Sequence, residues 1–275
     1  MSHKKHLSFL ARATKIVVIS FTLGATFFEK IHLAWFFLLS YLVRKFVPGF
    51  YYEKAFTIIG HDKRVKVMLS SDYGDLFVLS EVFIGNDYIQ EELKNEPRVI
   101  FDVGSNIGFT ALYFHNLYPD ARIFCFEPDP DNYKKLVANT RQFKNIVPFK
   151  LGIGSKAETS VLYKSPIFHM RHSLLPRYGN TQKVTIKVIS LDEAIRLASV
   201  STVSLLKFDI EGGEYEMFKP FENFKCIESL VGEIHPYIGT TLDQDVLIAK
   251  LKSKYSTVAV SEARGKFFVR CSSLK

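Results

Sequence analysis

The chain has 275 residues, of which 47% are hydrophobic, so it is long enough to bury one sizeable core with an appendage. Its three cysteines are scattered, without a CxxC or Cys/His metal spacing, which argues against a disulfide scaffold or a zinc site and favours a reducing compartment. Residues 1–50 hold seven Lys or Arg residues against Glu29 alone, a balance of +6 within the net charge of +8. Because this basic excess flanks an apolar segment, it favours a membrane surface over a nucleic acid as a partner.

Residues 1–50 form the first predicted region, an apolar helical segment. Two thirteen-residue apolar runs, Ile16–Phe28 and Ile31–Val43, would each make a helix about 20 Å long, shorter than a bilayer core of about 30 Å. Joined into one helix, the two runs would be long enough to cross the bilayer core, with Glu29 and Lys30 near the middle of the span. Four interpretations stay open: an in-plane or hairpin membrane anchor, one span, a signal peptide, or helices packed on the protein itself. The basic flanks favour the cytoplasmic side of a membrane, and packing on the protein would make the chain cytoplasmic.

Residues 51–97 form the second predicted region, a β preface followed by a short helix. Arg64–Ser70 alternates apolar and polar residues as a half-buried strand does. Leu76–Phe83 follows a turn-like stretch and is assigned to the same β preface. Tyr88–Leu93 has the pattern of the short helix.

Residues 98–275 are predicted to form the main domain, in which strand and helix patterns alternate. Alternation of this kind indicates an α/β fold, with a mostly parallel sheet and helices on both faces. Asn145–Ile153 is predicted to be a single strand. Residues 157–190 interrupt the alternation as a β insertion. The loop of this insertion holds three candidate substrate-contacting residues: His169, Arg171 and His172.

The first strand of this domain ends in a DxGxxxG loop, in which Asp102, Gly104 and Gly108 precede an apolar helix. A strand, a glycine-rich turn and a helix typically hold a nucleotide, but a carboxylate at the first glycine position would repel a pyrophosphate and suits an ammonium group. Glu127 ends the next strand, where an acid can accept both ribose hydroxyls, and Pro128 then turns the chain. A ribose and an ammonium group without phosphate describe S-adenosylmethionine, which the glycines allow the backbone to approach closely.

Five motifs occur in the order seen in the FkbM-like methyltransferases: VIFDVGSNIG, FEPDPDNYKKLVAN, VISLDEAI, LLKFDIEGGEYEMF and VGEIHP. The chain resembles this family from Tyr88 to Pro236. The resemblance implies a class I methyltransferase (Rossmann-like) sheet, S-adenosyl-L-methionine as cofactor, and methyl transfer to a hydroxyl, often on a sugar or polyketide. Ser155 stands where the family often has an Asp or Asn that contacts adenine. The expected cofactor-binding residues are Asp102, Gly104, Asn106, Gly108, Glu127, Pro128 and Ile153.

Four residues at the ends of two later strands form the candidate catalytic set: Asp209, Glu211, Glu233 and His235. The carboxyl ends of neighbouring parallel strands face one crevice, so these side chains are expected to converge. His235 is the candidate base, and its unperturbed pKa of about 6.5 predicts a rate that falls below that pH. Glu233 would hold the acceptor hydroxyl. The alternative for His235 is a structural histidine that caps the loop before Pro236.

Two neighbours of this set have open roles. Glu214 either joins the acidic set or begins a helix, where an acid favours the positive end of the dipole, and Lys207 is interpreted as a solvated or ion-paired lysine. No metal site is predicted, because no third ligand stands at a suitable spacing, although magnesium bound by Asp209 and Glu211 stays open.

The leading hypothesis is an S-adenosylmethionine-dependent O-methyltransferase tethered to a membrane through residues 1–50. Its acceptor would be a sugar, a glycan or lipid headgroup, or a small metabolite, and not a nucleic acid. One alternative is a nicotinamide oxidoreductase, against which Asp102 and the missing third-glycine spacing argue. The other is a non-catalytic binding domain of the same fold, against which the near-complete acidic set argues.

Overall fold

The computed structural model describes residues 2–47, 49–60, 63–85, 88, 93, 95–164, 182–235, 244–263 and 266–275. By backbone contacts the chain divides into two compact units, Met1–Asp87 and Tyr88–Lys275. Three sequence predictions fall wholly or mostly outside the described residues: the short helix Tyr88–Leu93, the insertion-loop residues His169, Arg171 and His172, and the loop at Pro236.

The first unit combines three helices with a β hairpin. The helices are α1 (Ser2–Leu23), α2 (Phe27–Phe46) and α3 (Tyr73–Phe83), and the antiparallel strands are β1 (Glu53–Gly60) and β2 (Lys63–Ser70). Thr26 caps α2, because its side chain accepts a hydrogen bond from the backbone N–H of Glu29.

The run Ile31–Val43 lies within α2, but the prediction of one helix over Ile16–Phe28 is wrong, because α1 ends at Leu23 and α2 begins at Phe27. Both helices contribute to the core of the first unit. Their buried apolar side chains are Ile16, Ile19, Leu23, Leu33, Ala34 and Phe37. None of the helices in the described ranges reaches the length and hydropathy that a membrane span requires.

The prediction that Leu76–Phe83 belongs to a β preface is wrong, because these residues lie in α3. Asp72 caps this helix by accepting a hydrogen bond from the backbone N–H of Gly74. The buried large apolar side chains recur every three positions, which places them on one face of a helix and not of a strand: Leu76, Leu79 and Val82.

The second unit alternates strands with helices. Its strands are β3 (Val99–Val103), β4 (Arg122–Phe126), β5 (Ile146–Phe149), β6 (Gly152–Gly154), β7 (Glu158–Lys164), β8 (Gln182–Ser190), β9 (Leu205–Phe208), β10 (Leu230–Ile234), β11 (Tyr255–Ala263) and β12 (Lys266–Leu274). Its helices are α4 (Phe109–Leu117), α5 (Pro130–Thr140), α6 (Leu191–Leu197), α7 (Glu214–Phe218) and α8 (Gln244–Lys254).

Seven of these strands form one sheet in the order β11-β12-β10-β9-β3-β4-β5. Neighbouring strands from β10 to β5 are parallel, and β12 runs antiparallel to both β10 and β11. The prediction of a mostly parallel α/β sheet is therefore confirmed. Because β3, β9 and β10 are adjacent and parallel, the residues that follow them meet at one edge of the sheet.

A second, three-stranded sheet has the order β6-β8-β7, and its strands β7 and β8 lie within residues 157–190, where the β insertion is predicted. The prediction of one strand over Asn145–Ile153 is wrong, because β5 pairs with β4 and β6 pairs with β8 in the other sheet. Glycine permits this second pairing: a Cβ at Gly154 would lie 2.8 Å from a methyl carbon of Val188.

Candidate active site

The candidate site lies where β3, β9 and β10 end. In the sheet register Val103 pairs with Phe208, and Phe208 pairs with Gly232. The backbone N–H of Asp209 donates to the Val103 carbonyl at 3.0 Å, which holds the end of β9 against the loop after β3. The two predicted groups of residues therefore share one edge of the sheet.

The carboxylate of Asp102 is fully buried and bonded within the protein. One of its oxygens lies 3.0 Å from the Lys207 ammonium, and the other accepts the Thr110 hydroxyl at 2.7 Å. Lys207 also donates to the Gly104 carbonyl at 2.8 Å. The ion-paired interpretation of Lys207 matches this arrangement. The negative charge of Asp102 is already balanced by Lys207. The contact between Asp102 and an ammonium group of the ligand stays a prediction.

The two loop glycines are required by contacts inside the protein. Gly104 has φ +78°, and a Cβ there would lie 1.9 Å from the carbonyl oxygen of Asp209. Gly108 has φ +91°, and a Cβ there would lie 2.8 Å from a methyl carbon of Leu136 on α5. The sequence reasoning attributed both glycines to the approach of a ligand, whereas here protein atoms occupy the space that a side chain would need.

Glu127 is buried at the end of β4 and holds the neighbouring loops. Its two carboxylate oxygens accept the backbone N–H groups of Asn106 at 2.8 Å and of Asp129 at 2.9 Å. Burial raises the Glu127 pKa to about 7, against the effect of these two hydrogen bonds. Asn106 has the left-handed φ of 49°, and its buried Oδ1 has no hydrogen-bond partner among the described residues.

The remaining predicted cofactor residues lie beside this loop. Ile153 is buried in the main hydrophobic core, and a Cβ at the preceding Gly152 would lie 3.5 Å from the Cβ of Pro128. Ser155 directly follows β6 and is partly buried.

His235 is buried and held by Glu214. Its Nδ1 lies 2.9 Å from Glu214 Oε1, which also accepts the backbone N–H groups of Ile210 and Gly212. Because a carboxylate only accepts hydrogen bonds, Nδ1 carries the donated proton. Glu214 is predicted either to begin a helix or to join the acidic set. It does both, because it is the first residue of α7 and its carboxylate contacts His235 of that set.

Three carboxylates surround the other ring nitrogen of His235. Its Nε2 lies 3.6 Å from Glu211, 3.6 Å from Glu233 and 3.8 Å from Asp209, distances too long for hydrogen bonds. Within the described residues, Nε2 has no hydrogen-bond partner. The four predicted catalytic residues therefore converge, with one imidazole nitrogen at their centre.

Two further residues complete the site and have no counterpart in the sequence prediction. The Tyr88 hydroxyl lies 3.2 Å from Asp209 Oδ2 and 3.0 Å from Glu233 Oε1. The Lys266 ammonium contacts the second oxygen of Glu233 at 2.5 Å. No motif marks either residue, although the strand pairing places Lys266, at the start of β12, beside the end of β10.

The charges of the set determine its protonation. Burial lowers the pKa of His235, but Glu214, Glu211 and Asp209 outweigh it and raise that pKa to about 9. Burial raises the pKa of Glu211 to about 7 and also raises that of Glu233. Burial would raise the Asp209 pKa, but Lys266 and the imidazole hold it below its ordinary value. Because the neighbouring carboxylates stabilise the imidazolium, we expect the acid limb to lie above the pH of about 6.5 that an unperturbed histidine predicts.

The same residues offer a ligand set for a cation. Ligand atoms of Asp209, Glu233 and His235 all lie within 4.8 Å of one another. The sequence spacing indicated no such set, because its members come from two strands that are separate in sequence. Lys266 already places a positive charge against Glu233.

Comparison with known proteins agrees with this geometry. A family model described as the methyltransferase FkbM domain matches residues 102–251. The hexuronic acid methyltransferase AglP of Haloferax volcanii is 31% identical over 180 residues, which cover 65% of this chain and 72% of that protein. The 31-O-demethyl-FK506 methyltransferase FkbM of Streptomyces tacrolimicus is 24% identical over 59% of this chain and 75% of its own length.

A solved structure described as methyltransferase FkbM, from Methylobacillus flagellatus, matches with a TM-score of 0.46 and 17% identity. The match covers 67% of this chain and 46% of that one, so the chain spans less than half of that protein.

The strand order and the loop after β3 define a class I methyltransferase, and the predicted fold class is thus confirmed. The chain belongs to the FkbM methyltransferase family. The resemblance seen in the sequence is confirmed, and the methyl donor of this enzyme is S-adenosyl-L-methionine.

Proposed function

We propose that this protein methylates a hydroxyl group of a sugar or a small metabolite. The observation that carries the proposal is the buried His235–Glu214 pair, whose Nε2 faces three carboxylates and has no hydrogen bond to the described residues. A hydroxyl is a poor nucleophile until its proton begins to leave. A histidine whose Nδ1 is fixed by a carboxylate presents Nε2 to take that proton.

The residues at the end of β3 and β4 fit the methyl donor. Glu127 uses one acceptor position on each oxygen for backbone N–H groups, so lone pairs stay available for the hydroxyls of a ribose. The buried Oδ1 of Asn106 is an acceptor suited to an ammonium group. When bound, S-adenosyl-L-methionine supplies an electrophilic methyl group on a sulfonium.

Residues of the site orient the acceptor hydroxyl and remove its proton. Tyr88 and Lys266 hold the carboxylate of Glu233, which leaves this side chain oriented to receive an acceptor hydroxyl. His235 takes the proton at Nε2, and Glu214 stabilises the imidazolium that results. Asp209 and Glu211 add negative charge near the cationic donor, and burial of Glu211, Glu233 and His235 strengthens the interactions of those three residues.

The acceptor class rests on the relatives and on the polarity of the site. One relative is described as a hexuronic acid methyltransferase, and another is described as a 31-O-demethyl-FK506 methyltransferase. Carboxylates and an imidazole are the groups that hydrogen-bond a polyhydroxylated ligand. We therefore place a sugar ahead of an apolar acceptor.

The test is a methyl-transfer assay with radiolabelled S-adenosyl-L-methionine and a panel of acceptors. The panel contains hexuronic acids, neutral hexoses, amino sugars, and amines that lack a hydroxyl. We expect label in an alkali-stable ether on a sugar, and none with the amines. Transfer to an amine nitrogen alone, or release of S-adenosylhomocysteine with no labelled ether, would contradict O-methylation.

We expect Glu127→Ala to weaken binding of S-adenosyl-L-methionine. A lost hydrogen bond to a charged group costs about 1.5–3 kcal/mol, which is about 10- to 150-fold in the dissociation constant. Isothermal titration calorimetry measures the change, and the exposed Glu158→Ala is the control. Glu127→Gln keeps one acceptor oxygen and should bind with an intermediate affinity.

Since Glu127 also holds two backbone N–H groups, the melting temperature of each variant is measured beside its affinity. An unchanged affinity in folded Glu127→Ala would show that the carboxylate does not contact the ribose.

A further inference from the structure

The outward face of α2 is apolar. Eight residues of this helix are exposed, and six of them are large and hydrophobic: Phe27, Phe28, Trp35, Leu39, Leu42 and Phe46. The two exposed polar residues are His32 and Lys45. An ordinary surface helix has the opposite composition on its solvent side.

This apolar face is separate from the face that α2 uses to pack in its own unit. The buried residues are Leu33, Ala34, Phe37 and Ser40. At 100° per residue, five exposed residues lie on the opposite side of the helix: Phe28, Trp35, Leu39, Leu42 and Phe46. Packing of the first unit therefore accounts for one apolar face of α2 and leaves the second, which we call the outer stripe, in contact with solvent.

The outer stripe is aromatic and large. Phe28 is 73% exposed, Trp35 is 64% exposed and Phe46 is 83% exposed. Contiguous apolar surface of this kind marks an interaction site in soluble proteins. Trp and other large apolar residues on one side of a helix, with basic residues nearby, are typical of helices that lie in a membrane interface.

The charge of the segment identifies the chemistry of the partner. Residues 1–50 carry +6, and α2 itself carries the exposed Lys45, whereas the Lys15 ammonium on α1 lies over the Phe77 ring of α3. Arg44, next to Lys45, is partly offset by Asp72 at 3.4 Å. A basic apolar surface is complementary to an anionic lipid headgroup layer with hydrocarbon beneath it.

We propose that the outer stripe of α2 binds the surface of a membrane that contains anionic lipids, with α2 parallel to the bilayer plane. The apolar side chains enter the headgroup boundary, Lys45 on the same helix contacts lipid phosphates, and the other basic side chains of residues 1–50 add attraction over a longer range. This proposal does not depend on the proposed methyl acceptor, because it rests on residues of the first unit alone.

The test is co-sedimentation of the full chain with vesicles. One set contains phosphatidylcholine alone, and the other contains phosphatidylcholine and phosphatidylglycerol in equal parts. We expect at least about tenfold tighter binding to the anionic vesicles, because each basic residue near the surface adds attraction. Raising NaCl from about 0.1 M to about 1 M shortens the screening length from about 10 Å to about 3 Å and should weaken binding.

Matched variants separate the apolar and the charged contributions. Trp35→Gln/Leu39→Gln should bind about tenfold more weakly or worse, since it removes apolar area that would leave water. The control is Leu197→Gln/Val246→Gln in the second unit, where Val246 has the same 64% exposure as Trp35. Arg12→Gln/Lys45→Gln should reduce both the affinity and its dependence on salt.

Three results would overturn the proposal. The first is absence of binding to anionic vesicles at about 0.1 M salt, where charges on a surface still attract. The second is equal loss of binding in the Trp35→Gln/Leu39→Gln variant and in its control. The third is a lipid-free dimer that Trp35→Gln/Leu39→Gln converts to a monomer, which would assign the outer stripe to a second copy of the chain.

Discussion

Replacement of His235 by alanine is expected to lower turnover by about 10²- to 10⁴-fold, the usual contribution of a general base. The affinity for S-adenosyl-L-methionine should stay nearly unchanged, because the imidazole contacts Glu214 and the carboxylates, away from Glu127. Single-turnover methyl transfer measures the first effect and calorimetry the second. His115→Gln on α4 is the control, since His115 bonds Asn145 at the other side of the unit.

The pH dependence distinguishes a base from a structural histidine. Nε2 accepts a proton only when the imidazole is neutral, and its pKa is raised to about 9. The value of kcat/KM, which reports the free enzyme, should therefore rise with pH up to about 9 and then level off.

Glu214→Gln removes the negative charge that contributes most to raising this pKa, so the acid limb should move to lower pH. Wild-type turnover in His235→Ala, with the same acid limb, would transfer the role of base to Glu211 or Glu233.

Replacement of Lys207 by methionine is expected to destabilise the second unit by about 3–5 kcal/mol. The change leaves the Asp102 carboxylate buried without its ammonium partner, and the Gly104 carbonyl loses a donor. Urea denaturation measures the loss of unfolding free energy. The exposed Lys225→Met should change it by less than about 0.5 kcal/mol.

The double variant Asp102→Asn/Lys207→Met tests whether the unpaired carboxylate of Asp102 causes the loss of stability in Lys207→Met. Asparagine removes the unpaired charge and can still accept the Thr110 hydroxyl, so the double variant should be more stable than Lys207→Met alone. A loss below about 1 kcal/mol in Lys207→Met would mean that the pair behaves like a surface ion pair.

Local patterns were sufficient for most of the second unit. Alternating apolar strands and amphipathic helices, together with the loop after β3, led to the parallel sheet and to the edge at which the predicted site residues converge. The same reasoning failed for Leu76–Phe83, where an apolar run is compatible with strand or helix, and the cap at Asp72 with buried contacts every three residues selects the helix. It also merged β5 and β6, which pair in different sheets.

The sequence by itself determined the family, the methyl donor and the four residues that converge at the ends of β9 and β10. These follow from motifs and from strand ends, which are local properties of the chain. Only the tertiary structure decided which partner each charged group has. Lys207 pairs with Asp102, Glu214 pairs with His235, and Tyr88 and Lys266 both contact Glu233. Side-chain contacts between distant segments depend on how the sheet is assembled, and the energies of buried charges depend on those contacts, so no local pattern specifies them.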